Sequence, residues 1–192
     1  VAAESPPFPA RLIQLGGKKL GKFDVTTETA ALAARAAISA AKFTVADEKH
    51  PVPDGVKPWR VALAAGLSEP DLESRESSLE LVLELSHTGD DEPFVIDRRR
   101  QLPAPDGDVE SVQNSIRDAL HSTLDSSVRE AGALIRLQDA SNSTLHEKLN
   151  DGDASVRGAA VRLLVRAHDK AVLPVLLEQL KSTELDELRV TV

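Results

Sequence analysis

Ser77-Ser-Leu-Glu-Leu-Val-Leu-Glu-Leu-Ser86 alternates residue by residue, with Leu79, Leu81, Leu83 and Leu85 on one side of an extended chain and Glu80 and Glu84 on the other. Successive side chains of a strand point to opposite faces, so this stretch predicts a strand with one buried and one wet side. Upstream, Arg60 to Leu67 repeats the pattern with Val61, Leu63, Ala65 and Leu67. The connection from Ser68 to Glu76 is long enough for a hairpin and too short for a crossover helix, which predicts antiparallel pairing. Downstream, Thr88 to Pro93 forms an acidic turn, and Phe94-Val-Ile96 starts a third strand that runs into Arg98-Arg99-Arg100 and stops at Pro103-Ala-Pro105. Alternation sends Arg99 to the face opposite Arg98 and Arg100, so the three arginines make no single anion patch; they read as charge that blunts an exposed edge strand.

Helices flank these strands in the sequence. Thr26 or Thr27 can cap a helix that begins with Glu28 and runs through the Ala, Leu and Ile of Ala30 to Ala41, a run of mostly small side chains that can lie close against a sheet. Before it, Arg11 to Leu15 reads as a short edge strand, and after it Phe43-Thr-Val45 reads as a short strand. Asp106 or Asp108 caps a long helix whose apolar stripe, Val109, Val112, Ile116, Leu120, Leu124, Val128 and Ala131, recurs at spacings of three and four and continues through Leu134 and Leu137. Strand, helix, several antiparallel strands and helix together predict an α+β sandwich over residues 11–138, with helices on one face of an antiparallel sheet. Residues 1–10 read as a proline-rich lead-in.

Composition narrows the function classes. A formal charge of −8 repels phosphate backbones and anionic lipid, which argues against nucleic acid and membrane-surface binding. Aromatics at 3%, with one Trp and no Tyr, leave few stacking platforms for single-stranded nucleic acid. Without Cys there is no disulfide, thiolate metal site or thiol nucleophile, and no apolar run approaches the ~18 residues of a spanning helix. The chain starts at Val1 and contains no Met, so trimming, processing or a longer parent chain is expected.

Past the polar stretch Ala140-Ser-Asn-Ser-Thr144 the texture changes to helical pairs, in residues 144–192. Leu145 and Leu149 recur as Leu176 and Leu180 after 31 residues, and Val156-Arg157 recurs as Leu188-Arg189 after 32. Leu149, Asp151, Asp153, Val156-Arg157, Ala159-Ala160, Asp169 and Leu173-Pro174-Val175-Leu176 together resemble the HEAT-like repeats of the phycobilisome-lyase type. The resemblance covers about one and a half units and implies an α-helical solenoid whose concave surface binds protein. It also implies that Arg157 ties adjacent units through aspartates such as Asp151, Asp153 or Asp169. A solenoid ending inside its second unit would expose an apolar face, so further repeats or a partner chain are expected there. The α+β region over residues 11–138 is similar, in topology, to small α+β domains of bacterial envelope lipoproteins, including those that assist outer-membrane assembly. That implies a periplasmic or envelope location, with the lead-in as a tether; a cytoplasmic location is the alternative.

Reaction chemistry is thin. Gly16-Gly17-Lys18-Lys19 lacks the Gly-Lys-Ser/Thr that enters a helix directly in a P-loop. His50, His87, His121, His146 and His168 have no pairwise spacing that grips a metal from one helix. His146-Glu147 matches the His-Glu pairs with which certain HEAT-like hydroxylases hold iron, yet the next unit has Leu177-Glu178 there, so the ligand count fails. Asp90-Asp91-Glu92 lacks the spaced oxygens of a calcium loop and reads as a solvated hairpin tip. No Gly-x-Ser-x-Gly occurs. No catalytic, cofactor-binding or metal residue is assigned. The expectation is a non-enzymatic scaffold or a subunit of a larger assembly, and the alternative is an accessory lyase or metal-dependent hydroxylase built on the repeats.

Overall fold

A computed structural model describes residues 9–16, 27–45, 51–52, 54–55, 58–67, 77–87, 92–102 and 109–181. Strands β1 (Pro9–Gly16), β2 (Thr44–Val45), β3 (Trp59–Leu67), β4 (Ser77–His87) and β5 (Phe94–Leu102) form one sheet in the order β2-β1-β3-β4-β5. Helix α1 (Thr27–Ala40) lies between β1 and β2 in sequence. Helix α2 (Val109–Leu137) follows β5, and then come α3 (Asn142–Lys148), α4 (Ala154–Arg166), a 3-10 turn (Lys170–Val172) and α5 (Leu173–Lys181). The architecture is α+β.

The alternating strands behave as their leucines dictate. β3 and β4 pair antiparallel with Leu63 opposite Leu83, and β4 and β5 pair antiparallel with Leu83 opposite Ile96. Leu79, Leu81, Leu83 and Leu85 are fully buried while Glu80 and Glu84 stand in solvent, so the sheet has one covered face. The segment Ser68 to Glu76, expected as a hairpin, lies outside the described residues.

β1 departs from expectation in two ways. It is not an edge strand, because β2 and β3 flank it, and both pair with it in parallel, so the sheet is mixed, antiparallel only across β3-β4-β5. The physical reason is the intervening helix: a strand that returns through a crossover such as α1 re-enters in the same direction, whereas a short turn reverses it. The register of β1 against β3 slips between Leu12 and Gln14. β1 also begins at Pro9, inside the stretch expected as a lead-in.

Two helices cover the sheet, and α4 packs along α2 on the side away from α1. Ala33, Ala34 and Ile38 of α1 and Ile116, Leu120, Leu124, Val128, Ala131 and Leu134 of α2 are buried in one apolar cluster with the β4 leucines. That cluster continues without a break into Leu145, Ala159, Ala160, Val161, Leu163, Leu164 and Val172. A Cβ on Gly132 would stand 2.7 Å from the ring of Phe43, so the absent side chain is what lets the residue after α1 reach the surface of α2.

Helix ends follow ordinary capping chemistry. The Ser141 hydroxyl accepts from the Thr144 amide, the Asp153 carboxylate from Ser155, and the Asp169 carboxylate from Ala171. α1 and α4 both end in the paired backbone bonds of a Schellman motif. In α1, Phe43 N–H donates to the Ile38 carbonyl and Lys42 to Ser39; in α4, Asp169 donates to Leu164 and His168 to Val165. The left-handed positions are Lys42, at φ 64°, and His168, at φ 53°, where glycine is the usual occupant.

Candidate interaction face and its buried charge support

Three charged side chains from three elements meet where α4 joins the sheet layer. Glu130 on α2 is 1% exposed, and Arg98 on β5 and Arg162 on α4 are nearly as buried. Arg162 Nε donates to Glu130 Oε1 at 2.6 Å, and Arg98 Nη2 donates to Glu130 Oε2. Arg162 Nη1 also donates to the Val95 carbonyl at 2.7 Å, on β5, the last strand of the sheet among the described residues. One helical turn on, Arg166 donates to the Glu92 carbonyl and stacks over the Phe94 ring, 4.1 Å from its centroid. Gly158 lies directly behind the carboxylate, since a Cβ there would stand 3.0 Å from Glu130 Cδ.

The arginine run of β5 divides as alternation requires, with one correction. Arg99 lies on the open face, 3.1 Å from the Ser78 hydroxyl and 3.8 Å from the Glu80 carboxylate. Arg100, on the α2 side, donates to the Ser122 hydroxyl. Arg98 does not blunt an exposed edge. It is drawn inside because Glu130 offers a buried carboxylate, and burying either charge alone would cost several kcal/mol. Sequence reasoning missed this triad, although two signals were there: Glu130 is one position from Ala131 within the apolar stripe, and Arg162 interrupts the apolar run Ala159 to Val165.

Further along, α3 holds the head of the next helix. His146 Nε2 lies 3.0 Å from Asp169 Oδ2, and Asn142 Nδ2 donates to the same oxygen at 3.1 Å. The His146 hydrogen bond, followed by the Ala171 amide, holds the Asp169 carboxyl below the usual carboxylate range. Asp151 is likewise held low, first by its hydrogen bond from Lys148 and then by the Asp153 amide. Among the described residues, Arg157 has no carboxylate hydrogen-bond partner, contrary to expectation. Its guanidinium donates to the main-chain carbonyls of Asp151 and Gly152, at 2.8 and 3.2 Å, and so braces the turn of its own hairpin. The tie from α3 to the turn before α5 runs instead through Asn142, His146 and Asp169.

Among the described residues, α5 leaves two large apolar side chains uncovered. Leu173 and Leu177, one turn apart, are 53% and 56% exposed. The 31-residue offset that maps Leu145 onto Leu176 maps Asn142 onto Leu173 and His146 onto Leu177. The two α3 positions that grip Asp169 thus correspond, 31 residues on, to exposed leucines of α5. Residues 182–192, which hold Leu188-Arg189, lie outside the described residues, as do His50, Asp90, Asp91 and the lysines after Gly17.

Among the described residues, no group of three or more His, Cys, Asp and Glu side chains is placed to hold a metal ion. No helix among them is long and apolar enough to cross a membrane.

No family model matches the chain, and no curated protein matches it in sequence. Among solved structures, the crystal structure of a minor lipoprotein from Acinetobacter baumannii aligns with a TM-score of 0.41 and 10% identity, over 66% of this chain and 94% of that one. A likeness of that strength carries no inference.

Proposed function

We propose that this chain is a non-enzymatic scaffold that binds a protein partner through the outer face of α5, and that it works in the bacterial envelope as a lipoprotein or as an accessory subunit of a larger assembly. The observation that carries the reading is the pair Leu173 and Leu177, exposed at the positions that in α3 contact the next unit. Each half-exposed leucine leaves on the order of 1 kcal/mol of burial unused, which a helix laid along α5 would recover. The hairpin of α3 and α4 with α5 is read as one and a half HEAT-like units over residues 144–192, stacked on an α+β domain over residues 11–138 that closes the solenoid's first end. The period of 31 to 32 residues, the repeated aspartate caps and the α3-to-Asp169 tie support that reading. The envelope assignment rests on the resemblance of the strand and helix order to envelope lipoprotein domains.

A photo-crosslinking residue placed at position 173 or 177 in the native host tests the face, with position 84 on the open side of β4 as control. One recurrent protein adduct from 173 and 177 and none from 84 is the expected result, with loss of that adduct from position 173 on Leu177→Asp while helical content is unchanged. Equal labelling from all three positions rejects the scaffold reading. A stoichiometric metal or chromophore in purified protein would favour the accessory lyase or hydroxylase instead, and fractionation of the tagged protein with the cytosol would reject the envelope location.

A further inference from the structure

We infer that Arg98 and Arg162 form a site for a small monovalent anion at the junction of β5, α2 and α4. A guanidinium is a planar fork built to meet a two-oxygen acceptor side-on, and two forks need two such acceptors. Among the described residues, this junction supplies one carboxylate. Glu130 Oε2 takes Arg98 Nη2, Glu130 Oε1 takes Arg162 Nε, and the Val95 carbonyl takes Arg162 Nη1. Arg98 Nη1 and Arg162 Nη2 remain, both buried and neither with an acceptor among the described residues. Both arginines are thus anchored on the one Glu130 carboxylate, one on each oxygen, and each keeps one buried arm open.

Charge argues in the same direction. Among the described residues, two guanidinium cations against one carboxylate leave the buried cluster at +1. Arg100 lies two residues from Arg98 on the same strand face, and Arg166 one turn from Arg162, so no compensation comes from those neighbours. A buried charged donor without a partner is costly, and such groups are satisfied by water or by an ion. Water would supply the acceptor and leave the charge. A monovalent anion supplies both, whereas a dianion would reverse the sign of the cluster. The chain as a whole carries −8, so accumulation of an anion here would be local and not a property of the surface.

The test is thermal unfolding of the whole chain at constant ionic strength, with sodium gluconate replaced stepwise by sodium chloride and, in a second series, by sodium formate. A ligand that binds only the folded state raises Tm in a saturable way, here by about 2 to 4 °C. Equal Tm in gluconate, chloride and formate overturns the site and assigns the open arms to water. Glu130→Gln raises the buried charge to +2 and should enlarge the chloride-dependent rise; a rise no larger than in the parent protein also overturns it. Should that variant fail to fold, crystals grown in bromide decide the matter. An anomalous peak within hydrogen-bonding reach of Arg98 Nη1 and Arg162 Nη2 supports the site, and peaks confined to the surface mean an adventitious ion only and overturn it.

Discussion

The two halves of α2 are packed in different ways. From Glu110 to Ser126 the helix has one covered side: Ile116, Ala119, Leu120, Thr123 and Leu124 are buried, and Glu110, Asn114, Arg117, Asp118 and His121 face water. From Ser127 to Ile135 only Arg129 is exposed, because α4 has closed over the side that the sheet and α1 leave open. One-sided packing needs only a stripe of apolar residues. Two-sided packing removes the stripe, and apolar contact alone then fixes poorly how the second neighbour sits. Here the neighbour is held in place by a carboxylate gripped from both flanks, by Arg98 of the sheet and Arg162 of α4.

Removing that carboxylate is the change expected to separate the halves most. Glu130→Ala leaves two buried guanidinium groups without their shared partner and should cost about 3 to 5 kcal/mol in chemical denaturation. Replacing Arg98, Glu130 and Arg162 together with Met, Leu and Met should instead come within about 1 kcal/mol of the parent protein, since an apolar substitute for a whole buried ion cluster is often neutral. A triple variant as unstable as Glu130→Ala would show that the junction depends on its charges for stability and not only for register.

The contrast also accounts for what could be read in the sequence. The bounds of α2, β3 and β4 and the inward leucines of β4 were legible because each has one wet side, and a wet side writes a period. The triad was not, because its partners are 32 residues apart in each direction and no local pattern links β5 to α2 or α2 to α4. The run Arg98-Arg99-Arg100 was legible in its alternation and misread in its burial, since a strand pattern tells which residues share a face and not what covers that face. The grip of α3 on Asp169 was half legible. The sequence singled out Asp169 among the residues of the helical-pair pattern, while its partners Asn142 and His146 are replaced by Leu173 and Leu177 31 residues on, so no period could point to them.

A smaller perturbation probes the same contact from the α4 side. Gly158→Ala would press a methyl group against the Glu130 carboxylate, with contacts of 3.0 to 3.1 Å, and should cost about 1 to 3 kcal/mol. Gly152→Ala, where a Cβ meets nothing within 4 Å, is the control and should change stability by less than about 0.5 kcal/mol. Equal effects would mean that α4 can shift away from α2 at little cost, and that the second half of α2 is less tightly covered than its burial indicates.

Acid should loosen the helical side in its own way. The folded-state pKa of Asp169 lies below its unfolded value, chiefly through His146 and then through the Ala171 amide. Its contribution is therefore present above the unfolded pKa and is lost as pH falls through the folded one, below about pH 4. Asp169→Asn should melt earlier than the parent protein near neutrality, with the gap narrowing as pH falls from 5 to 3. A gap that stays constant would place the tie in hydrogen bonding by the neutral side chain and not in its charge.

The smallest effects ask whether the two sides of α2 come apart together. Lys42 ends α1, the neighbour on the sheet side, and His168 ends α4, the neighbour on the helical side, and both occupy the left-handed position of the same motif. Glycine is at ease there and the side chains are not, so Lys42→Gly and His168→Gly should each raise stability by about 0.5 to 1 kcal/mol. If unfolding is a single cooperative event, each gain appears in full in the one transition. If the helical side melts first, His168→Gly moves only the early phase and Lys42→Gly only the late one. The core is continuous from Ile38 through Leu134 to Leu164, and Glu130 clamps the seam between the layers, so the single transition is the expected result.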